Sequence, residues 1–400
     1  MNINYHYHVI KTLALKAEFA SETAEMIAFY SQMVDDFDVT TVLSKSITVY
    51  QTPPDFFIQN RLAFRNSNGT YTFYPVTTKI WWASAITKST ELMTLVPFHF
   101  IPAHTVAELM RQNNRNPYRC VKASELNENE LINQLLQDVD QAIRDKRDAI
   151  NMGMFLHTYA DTYAHQGFSG FWGNENFSFI KETTCNMKMR KKLFFFNAPA
   201  VGHANVGHLP DAAMEQFTYK RPPEGRKKYT ETIIRDNITD YEICSRRIFN
   251  LLCSINGQIM WNDQKWNELY RRITAVYEQV FEDDSEIMDE EDLNRIWKEA
   301  FANEGYDYTY NKNLPPVMIT PVVEEIDYKA LKAENLQESD IYNMCSETGR
   351  KARDYARINY TVNDDFFTYN EMAYRRIMKV CGWLPTELVM PDEGGMTDVQ

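Results

Sequence analysis

A mainly α-helical, multi-helix bundle carrying a small β-hairpin insertion is the fold class this sequence of 400 residues predicts. Three features predict it. Leu131, Ile132, Leu135, Leu136, Val139 and Ile143 recur with a helical period. Residues 229–282 read as strongly helical, including the run from Tyr241 to Leu252. β-like sequence gathers in one stretch, at about 38–80.

Taken in order, residues 5–37 read as two helices. The first runs to about Ala17 and is rich in Ala, Leu and Lys. Ser21 offers an N-cap for the second, with Glu22 and Glu25 in its first turn. Ala24, Ile27, Ala28 and Ser31 follow at helical spacing, and the helix ends near Asp35 and Asp36. Val39 to Val42 and Ser46 to Tyr50 are β-like. Asn66-Ser67-Asn68-Gly69 supplies a hairpin turn between two strand-like runs. Val96 to Pro102 lies between prolines and reads as a short non-helical element. Two helices cover Ala123 to about Ala164, stopped by Gly167 and Gly170. Residues 171–228 read as mainly loop, with Lys188 to Lys192 a solvated basic face. Glu282 to Asp292 is an acidic loop with a helix start. Asn313 to Pro321 reads as an extended connector, residues 327–382 as helical, and the tail around Gly394-Gly395 as frayed. The expected organisation is a helical metal-binding domain over 1–312, with the β insertion inside it. A connector and C-terminal helices, 313–400, are expected to pack on that same domain.

Composition narrows the function. The chain is 44% hydrophobic and 24% charged, which suits a soluble globular protein. Its net charge of −13 argues against a stable nucleic-acid complex through a basic face. A nuclease stays open, because a bound metal supplies local positive charge. The six cysteines are too sparse for a disulfide framework, and none forms a C-x-x-C pair. No signal peptide and no transmembrane segment are expected. A cytoplasmic location follows by default, with signal-independent export left open.

The eight histidines all precede residue 209. The densest run places His157, Asp161 and His165 four residues apart, on one face of a helix. Two imidazoles and a carboxylate stacked in this way suit a divalent metal, and they equally suit a buried hydrogen-bonded cluster. His6, Asp35, Asp36, His99, His203, His208 and Asp211 add enough donors for two or three ions. Imidazole and carboxylate donors suit zinc. His8, two residues from His6 at about 100° per residue, faces elsewhere on a helix. His104, just after Pro102, is expected to be exposed or supporting.

Several of these segments resemble a bacterial family of unknown function, DUF6765. They are Tyr5-His6-Tyr7, Ser31 to Asp36, Pro97 to Phe100, His157 to Gly170 and Gly202 to Asp211. The order of histidines and acids is also similar to that of the zinc-dependent phospholipase C and P1 nuclease superfamily, all-helical phosphoesterases with a trinuclear zinc site. That resemblance, covering residues 1–211, implies a phospholipase C-like bundle. It implies His6 as the early ligand and Asp35 or Asp36 as the first aspartate. His99 follows, then His157 and Asp161, the latter a candidate bridge. His165 and Asp211, with His203 or His208, would hold the remaining ion. Whichever of Asp35 and Asp36 is not a ligand would orient water or act as general base. Three departures are visible. The spacer from Asp161 to His165 is shorter than in the phospholipases, Asp211 stands where they have Glu, and the chain starts at Met1 where they use a freed N-terminal residue.

The expected function is therefore a zinc-dependent hydrolase acting on a phosphoester or phospholipid through metal-activated water. The rival is a non-catalytic, metal-stabilised helical protein acting as a binding or effector module. A protein partner or self-association stays open in either case.

Overall fold

The computed structural model describes residues 1–37, 46–79, 87–102, 107, 118–122, 130–139, 142–184, 200–221, 231–282, 290–310, 318–344 and 346–384. His104, Lys188 to Lys192, the acidic residues 283–289, the start of the connector and Gly394-Gly395 lie outside them.

A π-helical turn, Asn4–Val9, continues into α1 (Ile10–Lys16). Then come α2 (Ser21–Asp36), β1 (Ile47–Val49), α3 (Asp55–Gln59), β2 (Ala63–Arg65) and β3 (Tyr71–Phe73). A second π-helical segment, Glu91–His99, precedes α4 (Glu130–Leu136) and α5 (Lys146–Ala164). The chain continues through β4 (Phe179–Thr183), β5 (Gln216–Arg221), β6 (Glu231–Asp236), α6 (Asn237–Ile255), α7 (Asp263–Glu282) and α8 (Glu290–Ala300). Last are β7 (Ile319–Ile326), α9 (Tyr328–Ala333), α10 (Glu347–Arg353), β8 (Ala356–Val362) and α11 (Asp364–Cys381).

The chain divides into two compact units, Met1–Gln32 with Trp81–Tyr310 and Lys379–Gln400, and Met33–Ile80 with Asn311–Met378. In the first unit, helices enclose a core of large buried side chains, among them Tyr5, Tyr163, Tyr241, Trp266 and Trp297. α7 shows why: Trp266, Leu269, Tyr270, Ile273, Val276 and Tyr277 are buried at helical spacing. α5 packs on α6 and on the second π-helical segment, and α1 packs on α6. A three-stranded antiparallel sheet, ordered β4-β5-β6, belongs to the same unit.

The second unit is built on a five-stranded sheet ordered β2-β3-β1-β8-β7. β1 and β8 run parallel, and the other neighbours are antiparallel. Phe57, Phe73, Phe366 and Phe367 pack together in its core, joining α3, β3 and α11.

The mainly helical bundle with one hairpin insertion is thus corrected. Among the described residues the fold is mixed, 56% helical and 15% strand, with two sheets. The hairpin at Asn66 to Gly69 forms, closed by Gly69 at φ 86°, but β1 pairs onward with β8 from the C-terminal region. β7 holds Pro321, which made this stretch read as a connector. Proline is tolerated there because β7 is an edge strand, where a missing N–H costs no ladder bond. β6 and β8 sit against long helical patterns that masked them. Val96 to His99 is helical despite Pro97, because the wider π turn leaves room for the ring. The Phe100 amide donates five residues back, to the Leu95 carbonyl, at 2.9 Å.

Candidate metal centre

α5 is the spine of the site. Asp145 caps it by accepting from the Asp148 amide at 3.0 Å. His157 and Asp161 lie one turn apart on its buried face, and His165 follows at its C-cap. Gly167, at φ 85°, then turns the chain away. His99 ends the second π-helical segment and His6 lies in the first. His203 and Asp211 come from the loop between β4 and β5.

Asp161 is fully buried and surrounded by nitrogen. Its Oδ1 lies 2.6 Å from the Met1 amino group and 3.1 Å from His6 Nε2. Its Oδ2 lies 3.2 Å from His99 Nδ1, 3.2 Å from His157 Nε2 and 3.6 Å from His165 Nδ1. The His6 and His157 rings stack with centroids 3.8 Å apart. Burial alone would raise the Asp161 pKa. The electrostatic pull of its neighbours His165, the Met1 amine, His157 and His6 outweighs it and holds the group well below the usual carboxylate range.

Asp211 forms the second focus. Its Oδ1 lies 3.2 Å from the Met1 amine and 3.2 Å from His165 Nε2, and its Oδ2 lies 3.4 Å from His203 Nε2. Against its burial, the amine, His203 and His165 keep this carboxyl well below its ordinary range too. Within the first unit, two sets of side chains therefore gather donor atoms within 4.8 Å of one another: His99, His157 and Asp161, and His165, His203 and Asp211.

Three of these imidazoles are oriented from behind. Nδ1 of His157 donates to the Ser31 carbonyl at 2.9 Å, that of His165 to the His99 carbonyl at 2.7 Å, and that of His203 to the Gly207 carbonyl at 2.7 Å. A carbonyl only accepts, so each Nδ1 carries the proton. Each Nε2 is left as the inward-facing atom, the arrangement that prepares histidine for a metal.

Burial lowers the His203 pKa to about 4 despite Asp211, and lowers that of His6 to about 3. Both rings are thus neutral at pH 7. The unfolded chain takes up protons near 6.5 that the native state refuses. Metal-free protein should therefore lose stability as pH falls from about 6.5 towards 4, by at most ~1.4 kcal/mol per pH unit per group. Urea midpoints at pH 7, 6 and 5 check this, and His203→Gln should flatten the slope.

Of the other residues singled out in the sequence, His208 has a side chain 76% exposed and reaches Asp211 only at 4.0 Å. His8 is buried away from Asp161, stacked on Trp297 at 5.4 Å. Asp35 and Asp36 close α2, in the part of that helix belonging to the second unit. The Ser31, His99 and Gly207 carbonyls were not legible in the sequence, because backbone acceptors carry no residue signature. The Met1 amine was set aside there as a departure from the phospholipase pattern, and it lies against both aspartates.

The fold and site define a mixed α/β protein with a buried cluster of histidine and aspartate. The chain belongs to DUF6765, a family of unknown function whose model matches residues 1–379. The match runs well past the segments of residues 1–211 from which the resemblance was read. No curated protein matches the chain. No solved structure matches it. Among the described residues, no helix is long and apolar enough to cross a membrane.

Proposed function

We propose that this protein is a metal-dependent hydrolase, with zinc the best-suited ion and a phosphoester the substrate class. The observation that carries the reading is the orientation of His203. Its proton is committed to Gly207, so its Nε2 lone pair faces the Asp211 carboxylate at 3.4 Å. Two acceptors face each other with no proton between them, a contact that is repulsive alone and favourable across a cation. His157 is oriented in the same way, with Nδ1 on the Ser31 carbonyl and Nε2 3.2 Å from both Asp161 and His99 Nδ1. The donors are imidazole nitrogen and carboxylate oxygen, a set that suits zinc.

His99, His157 and Asp161 would hold one ion and His165, His203 and Asp211 a second, with His6 beside Asp161. A divalent cation there would lower the pKa of water towards about 7 and neutralise charge on a phosphoryl oxygen. The chain's own groups divide the remaining work. Asp161 and Asp211 stay ionised at neutral pH. The carbonyls of Ser31, His99 and Gly207 hold the rings in register. Asp211 and His203, with side chains 15% and 18% exposed, form the end that solvent reaches. The similarity in motif order to the phospholipase C and P1 nuclease superfamily supports the phosphoester class, though not its all-helical fold. The net charge of −13 favours a lipid over a nucleic acid.

A second reading has its own observation. Asp161, His99 and His157 are almost completely buried, as in a site that only staples the fold. One experiment separates the two. Metal content is measured on protein purified without chelator, alongside hydrolysis of bis(p-nitrophenyl) phosphate and a short-chain phosphatidylcholine. Two or three zinc ions per chain, with turnover lost when a chelator strips them and restored when zinc is added back, is the expected result. Stoichiometric metal without turnover on any ester favours the staple. Absence of stoichiometric metal sinks both.

A further inference from the structure

We propose that Arg235 and Asn237 form a positioning clamp that sets His165 against Asp211. Both residues sit where β6 passes into α6, and both are buried. The Arg235 guanidinium gathers the end of α5. Its Nη2 donates to the Tyr163 carbonyl at 3.0 Å and the Ala164 carbonyl at 3.2 Å. Its Nη1 donates to the Ala164 carbonyl at 3.2 Å and the Gln166 carbonyl at 3.4 Å. These carbonyls flank His165, and a helix C-terminus leaves such acceptors unpaired without a donor.

The Asn237 amide does the same for the loop that carries Asp211. Its Nδ2 donates to the Leu209 carbonyl at 2.7 Å, the Ala212 carbonyl at 2.8 Å and the Pro210 carbonyl at 3.4 Å. The Tyr241 hydroxyl adds a bond to the Pro210 carbonyl at 3.2 Å. The two clamps are joined, because Arg235 Nη2 donates to Asn237 Oδ1 at 3.4 Å. That bond fixes which way the amide points, with its nitrogen towards the Asp211 loop.

Arg235 is itself aimed. Its Nε lies 3.5 Å from Asp240 Oδ2, its guanidinium carbon lies 5.6 Å from the centre of the Phe217 ring, and Gln166 donates to the same Asp240 oxygen at 2.5 Å. One strand-to-helix junction thereby sets the distance between an imidazole on α5 and a carboxylate on a distant loop, 3.2 Å in the structure. Neither residue touches the donor atoms, so both act through backbone.

The clamp rests on the metal reading only for what the placed atoms bind. Its test follows the imidazole nitrogens by long-range 1H–15N spectra, in metal-free protein and with added Cd2+. The variants are Asn237→Ser, which removes the three donated bonds, and Arg235→Lys, which keeps the charge but loses the fork. The His165 and His203 signals should move in both variants while the His157 signals stay. Cd2+ affinity at the His165, His203 and Asp211 set should fall about tenfold or more, with the other set unchanged. Signals that stay in place, or all imidazoles moving together with a lowered melting temperature, would overturn the clamp. If wild-type protein binds no Cd2+, the metal reading fails, and the metal-free spectra still decide the clamp. If Asn237→Ser does not fold, Arg235→Lys carries the test.

Discussion

Replacing Asp161 with Asn is expected to empty the centre of metal and abolish turnover. The two side chains have nearly the same shape, so the change isolates charge and protonation. Among the described residues, Asp161 is the carboxylate that faces the Met1 amine, His6, His99, His157 and His165 together. An amide in its place keeps one acceptor and turns a second into an N–H donor, directed at nitrogens or at the amine. A metal held by both sets would lose the only carboxylate of the first. Turnover should fall at least about a hundredfold, comparable to removing a transition-state donor elsewhere. Metal-free Asp161→Asn should also be less stable than metal-free wild type by about 3–5 kcal/mol, the cost of stranding buried positive charge. Metal analysis, initial rates and urea unfolding with and without chelator measure all three. Metal retained at the wild-type level would show that Asp161 is only the counter-ion of the amine.

The centre was more legible than the fold, for a physical reason. A helix carries its geometry within a few residues, so the spacing of His157, Asp161 and His165 already placed three donors on one face. The choice between His203 and His208 was not legible. It depends on a loop whose 3-10 turns put Gly207 at φ 61° and leave His208 in solvent. The clamp had no local signal, because Arg235 grips carbonyls of a helix some seventy positions earlier. Strands suffer similarly. β1, β2 and β3 have three residues each, and the hairpin turn between β2 and β3 was the local clue. That β1 continues into a sheet with β8 is settled by the pairing of Val49 with Tyr360, which nothing near Val49 announces.

Gly153→Ala should be strongly damaging although it touches none of the donor atoms. On propensity alone it should help, because alanine is better than glycine in a helix by about 1 kcal/mol. Contact decides otherwise. A Cβ at 153 would stand 2.5 Å from the Ile27 carbonyl oxygen, 2.8 Å from the Ser31 nitrogen and 2.9 Å from the Tyr30 carbonyl carbon. All three are backbone atoms of α2, so no side chain can swing aside. The helices must separate, and overpacking of this kind costs about 1–3 kcal/mol. The functional consequence follows from the same geometry. Position 153 lies one turn before His157 on α5, and Ser31 is the residue whose carbonyl orients that ring at 2.9 Å. Pushing α5 off α2 stretches that bond and frees the ring to turn. The urea midpoint should therefore fall, and metal affinity should fall with it even under conditions where the protein stays folded. A Gly153→Ala protein more stable than wild type would mean that α5 can slide along α2 without loss. A destabilised protein with unchanged metal affinity would mean that Ser31 does not hold His157 in place.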